Sequence, residues 1–544
     1  MPVMKNLHNK GQALVVSYLV ISAFIVISAA LSSKAVSERS LALRNKLTAE
    51  AFYLAEGATE NAISALTSGI ANYQLDVNIP SLNVTTSFAT FSGAVVNSTI
   101  TELNSTDRLV TEGQTKIWVR NYEVVSSAQH PQNANINVTV HQIIARRLIP
   151  TFQHSVFYDD DLEILPGANM NLSGRIHCNN DIYMDADSGA TLKVNSTYVH
   201  SAGNIYNKRK NNGSRLSGEV EITRDKPGAP DYEAMDNLDC DSANWTTAAT
   251  DRWDGSVQSS VHGVTELTAP SVASIQPGGY YASNADVVIT ETGIVKGGVP
   301  LREGVDYPNG TVTINQTLYD NREGSYIRTV NVDLSKLANL AGESPGVGQP
   351  AYANNLPSNG LMYVTVADVA GTQPGVRLFN GATIDRSGGL TIVSNDPVYI
   401  QGDYNTVDEK PAAVICDSLN ILSNRWNDAN SPAANWASRT ANQTTINSAF
   451  IAGVDTTTSG NYNGGLENYP RLHENWSGIN LNIKGSFVAL WESQVADGSW
   501  AYGSPRYTAP RRNWYYNTAF NNPSNLPPFT PWAVEAQRIA WWQE

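Results

Sequence analysis

The sequence is poor in charge, poor in cysteine and bare of the short motifs that carry catalysis. Only 16% of its 544 residues are Asp, Glu, Lys or Arg, against about 25% in an average soluble domain. No dense Lys/Arg run occurs and the formal net charge is −14, which argues against a nucleic-acid partner. The three cysteines, Cys178, Cys240 and Cys416, lie far apart, with no Cys/His spacing of the kind that binds zinc. They leave two readings open: a Cys178–Cys240 disulfide in an oxidising compartment, or three separate thiols. No G-x-S-x-G, H-E-x-x-H or P-loop pattern is present, so nothing marks an exposed nucleophile, a zinc-bound water or a phosphate cradle. No catalytic residue, metal or cofactor is assigned, and the chain is expected not to be an enzyme.

After about residue 70 the helix formers Glu, Lys and Arg give way to Asn, Thr, Ser and Gly, a mix that suits exported β-rich proteins. With 41% hydrophobic residues the chain can bury a sizeable interior, and its length suggests roughly three structural regions.

The long apolar run is at the N-terminus. Between Gly11 and Ser33 there is no charged residue. The residues Leu14, Val15, Val16, Leu19, Val20, Ile21, Phe24, Ile25 and Ile27 give a helix long enough to cross about 30 Å of hydrocarbon. A cleaved signal peptide would have an apolar region of only about 7–15 residues. Helical spacing then continues through Leu43, Leu47, Ala51, Leu54, Ala58, Ala62 and Leu66, with Arg44, Lys46, Glu50, Glu56 and Glu60 between them as a polar side. No proline interrupts this stretch, and Gly57 is its one weak point. One continuous helix from Ala13 to about Leu66 is therefore expected.

A short basic leader ending in Lys10-Gly11, the apolar run, Glu38-Arg39 and Ala51-Phe52-Tyr53-Leu54-Ala55-Glu56-Gly57-Ala58 together resemble the N-terminus of type IV pilin-like proteins. The similarity is greatest to PilX-type minor pilins and large minor pseudopilins, and it covers roughly residues 8–66. It implies cleavage by a prepilin peptidase between Gly11 and Gln12. It also implies storage in the bacterial inner membrane with the body periplasmic, then assembly with other pilins or pseudopilins through an inner-membrane platform. The pilus or cell surface would be the final location. Major pilins carry a Glu at the fifth mature position, where this chain has Val16; that departure favours a minor, tip-located subunit. Charge does not fix the orientation, because Lys5 and Lys10 precede the span while Lys34, Arg39, Arg44 and Lys46 follow it.

Beyond the helix, period-two alternation in Thr115–Arg120, Tyr122–Val125 and Ile136–Val140 predicts antiparallel strands. From about residue 160 the strands shorten to apolar triplets between Gly, Asn and Asp, as in Leu162–Ile164, Ile182–Tyr183, Leu390–Val393 and Leu419–Leu422. That style suits a β-solenoid, with a β-sandwich as the alternative. The expected architecture is mainly β with one long N-terminal helix: a leader (1–11), a membrane segment (12–33), a pilin-like helix and small sheet (34–150), a first solenoid-like segment (151–207), a polar β insertion (208–360) and a C-terminal solenoid-like region with an aromatic-rich cap (361–544).

The remaining constellations are weak. Asp185, Asp187 and Gly189 look like the start of a calcium loop, but the later ligands and the Glu at its twelfth position are missing, and a turn with Asx hydrogen bonds explains them. Asp159, Asp160 and Asp161 read as a solvated loop at a domain junction. Asp403, Asp408, Glu409 and Asp417 are the carboxylates a carbohydrate-active solenoid would use, and corner residues are the plainer account. His177 and His200 read as ladder positions rather than ligands. The aromatics of the last third either seal the end of the coils or form a recognition surface, for which Trp476, Trp514, Tyr515, Arg511 and Arg512 are named. A membrane-tethered carbohydrate-binding or carbohydrate-active protein and a signal-anchored adhesin are the alternatives to a filament subunit.

Overall fold

Helical spacing without a proline produces one helix, α1 (Asn6–Ile70), of 65 residues, roughly 100 Å long at about 1.5 Å per residue. The computed structural model describes residues 6–70, 81–91, 93–104, 106–113, 115–224 and 231–544; positions 1–5 of the basic leader lie outside them. Gly57 does not break α1. The ring of Phe88 lies over it, with Cε1 only 3.0 Å from where a Cβ would stand.

Five strands follow, joined by tight antiparallel pairing: β1 (Ser81–Phe88), β2 (Ala94–Glu102), β3 (Arg108–Glu112), β4 (Thr115–His130) and β5 (Asn133–Pro150). Alternation makes one face of β4 and β5 apolar, and α1 packs on it through Leu47, Ala51, Leu54, Ala55, Ala58, Ala62 and Leu66. Leu43, expected in this stripe, lies before the sheet begins and is exposed. Small residues let helix and sheet approach closely, and a hydroxyl knot fills the contact. Thr59 Oγ1 donates to Ser126 Oγ at 2.8 Å, and Ser126 Oγ lies 2.7 Å from Ser98 Oγ.

This head is not closed by its own end of the chain. Its sheet runs β1-β2-β4-β5 and finishes on the C-terminal strand Trp532–Gln543, which pairs antiparallel with β5 from Trp532 opposite Pro150 to Gln543 opposite Val140. The whole body, residues 151–531, is thus inserted between two neighbouring strands of one sheet. The sequence places 532–543 in a C-terminal cap, and the structure places it in the head. Its Trp532 and Val534 complete the cluster around Ala62, Ile63 and Leu66.

In the body, short strands stack in parallel. Val156, Ile176, Val199 and Val257 stand in register on one ladder; Leu162, Ile182 and Ile205 stand on a second; Met170, Leu192 and Val220 stand on a third. Residues 361–489 form another run of parallel coils. Leu361–Val364, Leu390–Val393, Ala412–Cys416, Thr444–Ala452 and Asn480–Ala489 lie in one sheet, while Gln373–Phe379, Val398–Gln401, Leu419–Leu422 and Pro470–Leu472 lie in the other. Parallel in-register ladders are what stacked coils require, whereas an antiparallel sandwich alternates strand direction.

Stack order does not follow chain order. Val156–Tyr158 pairs on one side with Ile176–Cys178 and on the other with Asn480–Ala489. The late coils therefore continue the early ones across a seam, in one sheet of 13 strands. The polar stretch 208–360 is not a separate unit. Glu219–Thr223 and Val257–Gln258 belong to the early coils, Val287–Thr290 extends the far end of the large sheet, and the hairpin Val312–Asp320/Ser325–Asp333 edges the second sheet. Its loops are polar, but Val220, Ile222, Ile289, Val330 and Val332 share the core of the coils. On its way between the two ends of the stack, the chain lays Leu267, Ile275 and Tyr281 against the outer face of the large sheet, next to Phe157, Tyr363 and Ile415. That sheet is consequently apolar on both faces, which is why its strands read as unbroken hydrophobic runs. Coil contacts are close: a Cβ on Gly485 would lie 1.7 Å from the Ser448 carbonyl oxygen, so only glycine fits there.

Candidate functional site

The described part of α1 divides in two by burial. From Gly11 to Lys46 every residue is exposed, including all of Leu14, Val15, Val16, Leu19, Val20, Ile21, Phe24, Ile25 and Ile27. A stretch of exposed apolar surface this long is costly in water. By length and composition this is the one helix among the described residues able to cross a membrane. Gly11 and Gln12 sit inside α1, and Gln12 is exposed. From Leu47 onward the helix is held by its own sheet, where a Glu50 carboxylate oxygen meets His130 Nε2 at 2.8 Å.

The named recognition surface does not assemble. Trp476 and Trp514 are core residues, 0% and 3% exposed, part of the coil interior with Phe487 and Leu481. Their large rings fill the interior instead of facing solvent. Arg512 stacks over Trp514 with its guanidinium 5.5 Å from the ring centroid and donates to the Glu467 carbonyl at 3.0 Å. Only Arg511 and Tyr515 are exposed. Trp541 and Trp542 belong to the head, where Trp541 meets Phe52 edge-on at 6.0 Å and Trp542 stacks on His141 at 4.7 Å.

Of the four carboxylates named from the sequence, Asp417 and Asp403 hold backbone, while Glu409 and Asp408 face lysines. Asp417 accepts from the Val495 and Ala496 amides at 3.1 and 3.0 Å and from Ser493 Oγ at 2.7 Å. Asp403 accepts from the Thr445 amide at 2.8 Å. Glu409 faces Lys484 at 3.0 Å and Asp408 faces Lys410 at 2.5 Å. Asp185 accepts from the Ala186 and Leu216 amides, and Asp187 from the Ser188 amide at 2.8 Å, as turn formers do. The three cysteines are free, and burial raises all three thiols above their usual pKa.

His177 and His200 do stand on one ladder, in register with Phe157 and Gln258. Burial lowers His177 to about 4 and His200 to about 3, so both are neutral at physiological pH. Together with Tyr198 and Arg175 they line a polar cavity where head, coils and returning segment meet. A second crevice lies at the seam of the coils, lined by the Asp159–Asp161 run with Glu163, Asp455 and Glu492. Among the described residues no three His, Cys, Asp or Glu side chains are grouped so as to hold a metal ion. Sequence reasoning missed this crevice because its carboxylates come from corners hundreds of residues apart; the acidic run at 159–161 was the only local sign of it.

No protein family matches the sequence, and no curated protein matches it. Among solved structures, the competence-associated pilin ComZ from Thermus thermophilus is similar to this chain at 9% identity and a TM-score of 0.27, over 91% of this chain and 97% of that one. At that score the likeness bears on neither fold nor role.

Proposed function

We propose that this chain is a minor pilin-like subunit of a type IV pilus or a type II secretion pseudopilus. The observation that carries the reading is α1: one uninterrupted helix, bare and apolar in its first half and clamped to a sheet in its second. Such a helix satisfies every internal backbone group in lipid, and the same bare surface can pack among like helices when the subunit leaves the membrane. The subunit waits in the bacterial inner membrane with its body periplasmic. It is processed by a prepilin peptidase at Gly11-Gln12 and assembles with other pilins or pseudopilins at an inner-membrane platform. The inserted stack of coils, read as a β-solenoid, is then displayed at the tip. The role is structural and not enzymatic; the engagement of Asp417 and Asp403 with backbone amides supports this. Co-expression with a prepilin peptidase tests the reading: wild type shortens by the leader, Gly11→Ala does not. An unprocessed wild type, or a processed Gly11→Ala variant, would remove the pilin assignment.

A further inference from the structure

On the outer side of the first ladder, Phe157, His177, His200 and Gln258 stand in register, where the head and the returning segment close over them. A cavity of about 210 Å³ is left between the three parts, with Gly263 and Thr265, both exposed, on its rim. At roughly 30 Å³ for each water-sized group, it has room for a molecule the size of one sugar ring.

Most polar groups of this cavity are already matched. Arg147 pairs with both Glu112 and Glu535, the second at 2.6 Å. The His262 ring accepts from the Ser259 amide and stands 3.1 Å from the Thr246 carbonyl. His177 is held by Asn179 Oδ1 at 3.0 Å and by the Tyr198 hydroxyl at 3.4 Å. Two groups are left over. Arg175 has no carboxylate partner among the described residues. One Nη donates to Thr115 Oγ1 at 2.8 Å, the guanidinium lies 3.9 Å from the centre of the Tyr198 ring, and its Nε is buried without a hydrogen-bond partner. His200 stacks on the same tyrosine at 3.6 Å, and neither of its nitrogens has a hydrogen-bond partner among the described residues. One space therefore holds a cation without a counter-ion and an imidazole without a partner.

We propose that this cavity binds a hydroxylated monocarboxylate of the acidic-sugar class, with its carboxylate on Arg175 and His200. A guanidinium keeps further donors beyond the one given to Thr115, and its hydrogen bonds to a carboxylate are stronger than neutral ones. A neutral imidazole donates from either nitrogen by choice of tautomer, so His200 supplies a second donor. The remaining groups set the class. Glu112 and Glu535 keep two negative charges on the same cavity, so a dianion such as phosphate is repelled where Arg175 balances one carboxylate. Gln258 commits its amide donor to the Gly255 carbonyl at 3.0 Å, which leaves its Oε1 to accept from a sugar hydroxyl. A chain of formal net charge −14 draws in no anion by its overall field, so selection rests on the cavity itself. Because Arg175 also reaches Thr115 of the head, the bound acid sits on the joint between head and coils.

The full-length chain in detergent is titrated with D-glucuronate in a calorimeter. Saturable binding with a Kd of about 1 mM is expected, the level that a small polar ligand reaches. D-glucose and inorganic phosphate at the same concentrations should neither bind nor compete. A short oligouronate separates the sources: tighter binding than glucuronate means a polysaccharide end, and no binding means the free acid. His200→Phe keeps a ring on Tyr198 and removes the nitrogens. It should weaken glucuronate binding about tenfold with the ligand-free melting temperature unchanged. Arg175→Gln should abolish binding, and its melt should not respond to glucuronate, whereas wild type should melt higher with it. Absence of saturable binding, or glucose or phosphate competing as well as glucuronate itself, would overturn the site. So would an unaltered affinity in a His200→Phe protein that melts like wild type.

Discussion

Two halves of one helix meet different fates. Between Gly11 and Lys46 nothing covers α1, and its first part, Gly11 to Ser33, carries no charge on any side; Leu19 and Ile25 are each 63% exposed. Between Leu47 and Leu66 its apolar residues keep to a stripe, Leu54 and Ala58 are 0% exposed, and the sheet seals them. Hydrophobicity alone does not separate the halves. Pattern does: a stripe implies one wet face, so the fold needs to cover only the other, whereas an all-round apolar segment has no wet face to keep. The second half also uses Ala, Thr and Ser where strands approach closely, while the first uses Leu, Ile, Val and Phe, which maximise apolar area and need no close partner.

The comparison can be broken most severely from the far end of the chain. Deleting Trp532–Glu544 removes the strand that closes the head, and with it Trp532 and Val534, each contributing about 1.5–3 kcal/mol by burial. The expected outcome is that α1 from Leu47 to Leu66 loses its protection, read by hydrogen exchange, while strands of the coils keep theirs. Retained protection of that half would mean that β1, β2, β4 and β5 hold the helix unaided.

Single substitutions should separate the halves next. Leu54→Ala is expected to cost about 2–5 kcal/mol of head stability, as buried leucines do, and Leu19→Ala to stay within about 0.5 kcal/mol in the same detergent-solubilised denaturation. Ile21→Arg should leave that stability alone too, yet reduce membrane retention, since a mid-span arginine costs about 2.5–3.5 kcal/mol.

Such contrasts were legible in sequence because they are local. Steps of three and four through Leu47, Ala51, Leu54, Ala58, Ala62 and Leu66 foretold the covered face, and alternation in Thr115–Arg120 and Ile136–Val140 foretold β4 and β5. Triplets such as Leu162–Ile164 and Leu390–Val393 were recognisable as short strands. What was not legible is long-range. Nothing around Trp532 says that it faces Pro150, and nothing around Asn480–Ala489 says that its neighbour is Val156–Tyr158. Trp476 and Trp514 misled for the same reason: an aromatic beside arginine has the same composition whether it faces water or fills a coil. The seam crevice was half visible, in Asp159–Asp161, while its opposing Glu492 is brought in only by the stack order.

The coils differ from the bare helix in burying ionisable groups, and this predicts a smaller, pH-dependent effect. His177 and His200, lowered by burial to about 4 and about 3, start near 6.5 in the unfolded chain. Below about pH 6.5 the unfolded chain takes up protons that the folded coils refuse, so their stability contribution is whole above that pH and falls as pH drops towards 4. Glu467 and Glu474, raised by burial to about 7, run the other way: their contribution is greatest in acid and is lost as pH rises through 7. The two slopes overlap, so the variant isolates one. His177→Gln is expected to lose less stability than wild type between pH 7 and pH 5 in parallel denaturant titrations; equal losses would show that His177 is protonated alike in both states.

The smallest effect should lie inside the covered half, at the hydroxyl knot. Ser126 Oγ sits between Thr59 and Ser98, and all three are buried. Thr59 keeps a second acceptor, the Ala55 carbonyl at 2.9 Å, and Ser98 lies 3.3 Å from the Ala58 carbonyl. Ser126→Ala therefore leaves neither neighbour fully orphaned, and its cost should be near that of one net hydrogen bond, about 1 kcal/mol. Ser126→Val asks a harder question of the same place. The added methyls must fit where helix and sheet approach through Ala55 and Ala58, so overpacking of about 1–3 kcal/mol should exceed the hydrogen-bond loss. If the valine is instead tolerated as well as the alanine, close approach is not what selects small residues in this half of α1, and the contrast with the bare half would rest on the stripe alone.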